Sequence, residues 1–283
     1  MKADWRFIGA LLLLATAVAH GQAKSDGDAK KTPLVEVRSG IAHGPWGGLL
    51  KKYVDDNGRI DYAAWKASAA DSEGLRDYLR LFAAEAEPPA QGNERIASLI
   101  NAYNALAVEW ILSHYPTPSI RSLDHSFTNA RHEIARRRVS LDDIEHRTLR
   151  PLTGYRIHAA LSCASRSCPP LAREPFEAAR LEEQLDDRMR VWLANQDLNR
   201  FLPAERKAKV SEVFRWNLED FQRAGGVKNI LREYAPRRFT AFLSTDSYTI
   251  EYLPYQWGLN DQGAEGRNYG GAQLVLDKLR HGQ

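Results

Sequence analysis

The sequence predicts a helix-rich α+β single domain with a small, mainly antiparallel sheet, and three observations carry that expectation. Apolar residues recur at helical spacing, most clearly Ile96, Leu99, Ile100, Tyr103, Ala107, Trp110 and Ile111. Short strand-like segments enter only after Phe127. No internal repeat stands out, and the roughly 245 residues that follow the N-terminal leader are enough to bury one proper core.

Taken in order, Leu49, Leu50, Tyr53 and Val54 share a helical face, and the Asp56-Asn57-Gly58 turn leads into Ile60-Asp61-Tyr62. Helices are expected over Tyr62 to Ala69, Glu73 to Ala86 and Asn93 to Tyr115, the last stopped by Pro116 and Pro118. Glu133 to Ala135 and Arg138 to Ser140 read as short strands. Ser140 is then the N-cap of a helix through Leu149, with Asp143 at the capping-box position. Tyr155 to Ser162 reads as a strand. Arg180 to Asn195 reads as an amphipathic helix, and Asn199 to Val213 as a hairpin turning near Pro203-Ala204-Glu205-Arg206. Helices around Asn217 to Arg223 and Val227 to Tyr234 precede a strand over Tyr248 to Leu253. Trp216, Tyr252 and Trp257 are expected as core and rim aromatics.

The N-terminus has the layout of a secretory signal: Lys2 and Arg6 form a basic start, Phe7 to Ala19 an apolar run, and Ala17, Ala19 and Gly21 a small-residue end. The run is about a dozen residues against the roughly 20 needed to span hydrocarbon, so cleavage is expected and no stable membrane anchor. Residues 1–21 are assigned to the signal peptide, 22–34 to a disordered lead-in and 35–283 to the globular domain. The destination is the periplasm or the exterior. The formal charge of +3, with acids and bases interleaved, argues against nucleic acid as a partner. Arg136-Arg137-Arg138 is too short a basic run to change this and reads as a solvated hairpin edge.

The chemistry is concentrated in His158-Ala-Ala-Leu-Ser-Cys163-Ala-Ser-Arg166-Ser-Cys168-Pro-Pro. A disulfide between the two cysteines is one reading, favoured by an oxidising compartment. A second makes Cys163 a thiolate nucleophile or redox centre, supported by an imidazole such as His158 and an orienting carboxylate. A metal site is the weakest reading, because the two cysteines have no second ligand pair close by. No metal or cofactor is therefore expected. Motifs for lipase-like, zincin and nucleotide-hydrolysing chemistry are also missing from the sequence.

Several blocks together resemble a known family. They are Trp46 with Leu49 to Val54, Gly58-Arg-Ile-Asp61-Tyr62, Ile100-Asn101-Ala-Tyr103-Asn104-Ala-Leu106, Tyr115-Pro116, Ser140 to His146, Arg156 to Leu171, and Phe214-Arg-Trp216 with Asp220-Phe221. The family is the one catalogued as domain of unknown function 547. Its members occur in exported bacterial proteins and in plant and other eukaryotic proteins, sometimes beside glutaredoxin-type domains, and the resemblance implies no particular reaction. Leu99 stands where the family usually has a bulky aromatic, which implies a changed packing contact.

Weighed individually, Asn101 and Asn104 lie three positions apart on one face of an apolar helix and must recover their hydrogen bonds. Glu145 sits on the helix after Ser140, where it could orient His158, while His146 is expected in solvent. Arg166 could supply an anion contact, a positive field or only a turn residue. The functional expectation is an exported thiol-dependent enzyme of hydrolase or acyl-transferase type, acting on a peptide, amide or thiol substrate. In it Cys163 attacks, His158 is the base and Glu145 orients the imidazole. Asn101 or the N–H groups of the Ala164 to Ser167 turn hold developing negative charge. Asn104, Arg166 and Cys168 contact substrate or brace the loop. The rival is a non-catalytic module that binds a small molecule or peptide and uses the Cys163–Cys168 disulfide as a structural or redox element.

Overall fold

A proline in the first turn of the first helix and side-chain caps on the next two mark where these helices begin. The computed structural model describes residues 34–281, so the expected signal peptide and almost all of the lead-in lie outside the described residues. Helix α1 (Gly44–Tyr53) turns Trp46, Leu49, Leu50 and Tyr53 inward. In α2 (Tyr62–Ala67) the Asp61 carboxylate accepts the Ala64 N–H, and in α3 (Ala69–Ala83) the Ser68 hydroxyl accepts that of Asp71. Each cap satisfies an amide that the helix cannot. The three helices interlock through stacked aromatics, Trp46 on Tyr78 at 6.0 Å and Tyr53 on Trp65 at 4.6 Å. Burying each such ring contributes about 2–3 kcal/mol of apolar transfer.

Helix α4 (Gly92–His114) is the axis of this half, with everything from Ala97 to Val108 buried. It is long and apolar enough to cross a membrane by length and composition, but 78% of its most apolar window is buried inside the fold, as in a core helix. Strands β1 (His132–Ile134) and β2 (Arg137–Val139) pair antiparallel around Ala135 and Arg136, both at positive φ, the backbone that a two-residue hairpin turn demands. Arg136, Arg137 and Arg138 are exposed along this hairpin.

The capping box forms at Ser140: its hydroxyl accepts the Asp143 N–H at 3.0 Å, and the Asp143 carboxylate accepts the Ser140 N–H at 2.9 Å. The helix that follows is not α-helical throughout. Asp143–Leu149 is a π-helix, and it runs into α5 (Arg150–Thr153).

The strand expected over Tyr155 to Ser162 is corrected by the structure. Gly154–Arg156 is a 3-10 turn and Ile157–Ala160 is helix α6. Every residue from Ile157 to Ser162 is buried, so burial gives no period that would separate strand from helix, and Ala-Ala-Leu favours helix. Cys163 consequently follows a short helix and does not close a strand.

Helix α7 (Leu181–Ala194) leads to the second half. Strand β3 (Arg200–Leu202) pairs antiparallel with β4 (Lys207–Ser211) through a 3-10 turn at Pro203–Glu205. Helices α8 (Val213–Trp216), α9 (Leu218–Arg223), α10 (Val227–Tyr234) and α11 (Thr240–Leu243) separate β4 from β5 (Thr249–Leu253). Such a long crossover lets β5 run parallel to β4, in register from Lys207↔Thr249 to Ser211↔Leu253. The architecture is helix-rich α+β with two small sheets, and α12 (Gly271–His281), not anticipated from the sequence, follows. Buried apolar residues form two clusters, one around α1 to α4 and one around α7 to α11 with β3 and β4.

Candidate active-site cleft

A cleft of about 540 Å³ opens where the two clusters meet, lined by Tyr103 and Leu161 from the first and by Val213 and Tyr255 from the second. Concave, part-apolar sites of this size suit small ligands or peptide side chains. Cys163, His158 and Glu145, the residues expected to converge, all line it, as does Cys168. The π-helix contributes Glu145 and His146 to one wall, with Asp142 just before it and Arg150 following from α5. Trp216, Tyr255 and Trp257 form another wall, with centroids 4.5 Å apart for Trp216–Tyr255 and for Tyr255–Trp257. Trp216 is 46% exposed, a large apolar surface left open inside a concave site. The Arg121 guanidinium lies 3.8 Å over the Trp257 ring.

The two cysteines are joined in a disulfide. Cys168 is buried while Cys163 is half-buried. Around the bridge the donors are dense. The Cys163 N–H points at the Cys168 Sγ at 2.9 Å. The Tyr255 hydroxyl lies 3.3 Å from the Cys168 Sγ and 3.1 Å from the Cys163 Sγ. The Ser165 hydroxyl is 2.6 Å from that of Tyr255 and 3.1 Å from the Cys163 Sγ. Burial raises the Tyr255 hydroxyl above its ordinary range, so it keeps its proton and remains a donor. Ala164, between Cys163 and Ser165, sits at φ +59°, a conformation that costs a residue with a Cβ about 1–2 kcal/mol.

The carboxylate that holds His158 is Asp220 and not Glu145. His158 Nε2 lies 2.8 Å from the Asp220 Oδ2, both side chains being 1% exposed. The same oxygen accepts from Arg150 Nε at 2.5 Å, and the other oxygen accepts from Arg223 Nη1 at 2.9 Å. Burial opposes ionisation of Asp220, but the Arg150 and His158 hydrogen bonds outweigh it and hold the carboxyl below its usual range. Burial also pushes His158 below its usual value against the pull of Asp220. The imidazole is therefore neutral at neutral pH, with its proton on Nε2 and Nδ1 left as an acceptor. Glu145 instead acts on His158 through its charge, as it does on the buried Tyr103 hydroxyl, which it helps to push above its ordinary range. His146 is 45% exposed at the cleft rim, 3.8 Å from Asp142.

Asn101 does not reach the cleft: its Nδ2 donates to the Phe176 carbonyl at 2.8 Å and its Oδ1 accepts the Phe176 N–H at 2.9 Å. A side chain whose amide is fully committed to backbone braces a chain and does not stabilise an oxyanion. Within the Ala164 to Ser167 turn, two of the N–H groups proposed for an oxyanion are already committed. Arg166 N–H donates to Gly258, Ser167 N–H to Gln256, and Ala164 O accepts from Asn260 N–H, which straps the loop to residues 256–260. Arg166 turns away from the cleft and donates to the Asp261 carbonyl at 3.2 Å.

Asn104 has the loop-bracing role, its Nδ2 donating to Ala160 O at 3.0 Å and its Oδ1 accepting the Ser162 N–H at 2.8 Å. Asn104→Ala is expected to cost about 2 kcal/mol, since it strands two buried backbone groups next to Cys163. Urea denaturation would measure this, and a loss below about 0.5 kcal/mol would show that the loop holds without the brace.

Sequence reasoning missed Asp220, Tyr255 and Ser165. Asp220 and Ser165 carried a signal, as parts of the Asp220-Phe221 and Arg156 to Leu171 blocks, and Tyr255 carried none. Residues 89–193 match the family model described as "Protein of unknown function, DUF547". The match takes in Asn101, Asn104, Glu145, His158 and both cysteines, while Asp220 and Tyr255 lie beyond it. No curated protein and no solved structure matches the chain.

Proposed function

We propose, from the cleft itself, that this chain, part of which matches a family whose description names no activity, is an exported thiol-dependent enzyme that carries out thiol–disulfide exchange at Cys163. The observation that carries this is the donor set around the buried sulfur. A substrate thiol enters the cleft, His158 Nδ1 takes its proton, and the thiolate attacks the more exposed Cys163 Sγ. The Cys163–Cys168 bond breaks with its electron pair going to Cys168. That leaving thiolate is met by the Cys163 N–H and by hydroxyl protons from Tyr255 and Ser165. Stabilising the leaving sulfur speeds exchange. A second thiol then resolves the mixed disulfide on Cys163, releasing a substrate disulfide and leaving both cysteines reduced; the reverse sequence reduces a disulfide substrate. The aromatic wall offers a surface for an apolar flank of a peptide or small thiol.

A hydrolytic reading has one observation in its favour: reduced Cys163 would share the cleft with the His158–Asp220 pair, an imidazole oriented for acyl transfer.

The experiment compares Cys168→Ser with Cys163→Ser in reaction with glutathione disulfide, read by mass. Cys168→Ser should form the mixed disulfide at least about tenfold faster, and Tyr255→Phe should slow reduction of the intact bridge by dithiothreitol about tenfold. If the native bridge resists millimolar dithiothreitol and neither lone thiol reacts, the exchange reading fails. The bridge would then only pin a recognition loop.

A further inference from the structure

The segment Ser165 to Pro169 has a second cavity against it, of about 140 Å³, and Cys168 and Pro169 line both this cavity and the cleft. Two arginines from distant parts of the chain, Arg59 and Arg166, face into it. Arg59 Nη1 and Arg166 Nε are both buried and have no hydrogen-bond partner among the described residues. Guanidinium nitrogens without an acceptor are costly to bury, and two such groups lining one small cavity repel each other as well. The charges nearby do not resolve the imbalance. Asp197 meets Arg59 Nη2 at 3.7 Å, but its side chain is 78% exposed, so it contributes little. Arg166 Nη2 has the neutral Asp261 carbonyl at 3.2 Å. Burial, then the charges of Arg59 and Arg267, weaken the Arg166 guanidinium's hold on its proton, against the attraction of Asp261. Arg267 itself is occupied by the Gly263 and Gln262 carbonyls.

We propose that this cavity binds a small inorganic oxyanion of the phosphate or sulfate class, held between Arg59 and Arg166. An oxyanion has enough acceptor oxygens for both unpaired donors at once, and guanidinium forks match its geometry. The volume admits such an ion and excludes a nucleotide. Because Arg166 lies between the two cysteines in sequence, the bound ion would fasten the loop that carries the disulfide from its far side. The proposal does not depend on any reaction at Cys163.

The test uses the purified chain in phosphate, sulfate, acetate or chloride at matched ionic strength. Phosphate and sulfate are expected to raise Tm by about 2–4 °C over chloride. Calorimetric titration with phosphate should give a Kd that rises at least about tenfold in Arg59→Gln and in Arg166→Gln. Arg137→Gln, which removes one exposed hairpin charge, should keep the response. Circular dichroism checks that the variants fold. A wild-type crystal soaked in selenate, which needs no variant, should show an anomalous peak between the two guanidinium groups. A response no larger than that of chloride, equal responses in wild type and both glutamine variants, or a soaked crystal with no peak there would each overturn the proposal. A response to acetate alone would replace the inorganic ion by a carboxylate and overturn it too.

Discussion

Asp220→Ala is expected to lower stability by about 3 kcal/mol and to be among the most damaging single substitutions outside the aromatic core. Asp220 is 1% exposed and accepts from Arg150, His158 and Arg223. Removing it leaves the equally buried His158 Nε2–H without its acceptor and Arg150, only 28% exposed, without its counter-charge. Both losses are desolvation costs that water cannot recover, whereas Arg223, 70% exposed, simply turns to solvent. Arg223→Gln should therefore cost at most about 0.5 kcal/mol. Urea midpoints of the two variants separate these cases; equal midpoints would mean that the pocket around Asp220 is wetter than its burial implies. Asp220→Asn keeps the shape and loses the charge, and should fall between them.

The same residue shows how far the sequence alone could go. The helical half was legible because apolar spacing over a segment as long as α4 admits one period, and because Ser140 and Asp143 form a capping box with local chemistry only. The β3–β4 hairpin was legible for a similar reason, with Pro203 and the left-handed Arg206 at its turn. Long-range placement was not. Residues 157–162 are buried on all sides, so nothing in their polarity distinguishes a strand from helix α6. The π-helix arises from a register that propensities do not encode. The parallel pairing of β4 with β5 depends on four intervening helices packing as a crossover.

At the cleft the outcome follows the same division. Cys163, His158 and Glu145 were brought together from segments close in sequence, and they do share one cavity. The partner that matters to the imidazole comes from 62 positions away, and the donors that surround the sulfurs include Tyr255, 92 positions from Cys163. Glu145 precedes His158 by 13 residues, nearer in sequence than Asp220, yet it is Asp220 that makes the hydrogen bond to the imidazole. Proximity along the chain selects candidates for a site, but pairings inside it are decided by which buried polar groups lack any other partner.

That rule also forecasts how the protein responds to acid. His132 is buried on β1, its Nε2 without a hydrogen-bond partner among the described residues, and burial, then the Arg131 and Arg138 charges, push its pKa down to about 4. In the unfolded chain a histidine takes up its proton near 6.5. Between pH 6.5 and about 4 the unfolded state thus binds a proton that the folded state refuses. The stability due to neutral His132 is complete above pH 6.5 and declines as pH falls toward 4, by about 3 kcal/mol in all. His43 and His158, both depressed chiefly by burial, act in the same direction. Asp220, held below its usual range, adds a further loss at lower pH. Urea midpoints at pH 7.5 and 4.5 should differ strongly for the native chain. In His132→Leu the difference should shrink measurably, because one proton uptake on unfolding has been removed. An unchanged pH response in that variant would place the acid-sensitive proton elsewhere, and repeating the comparison with His43→Gln would then locate it.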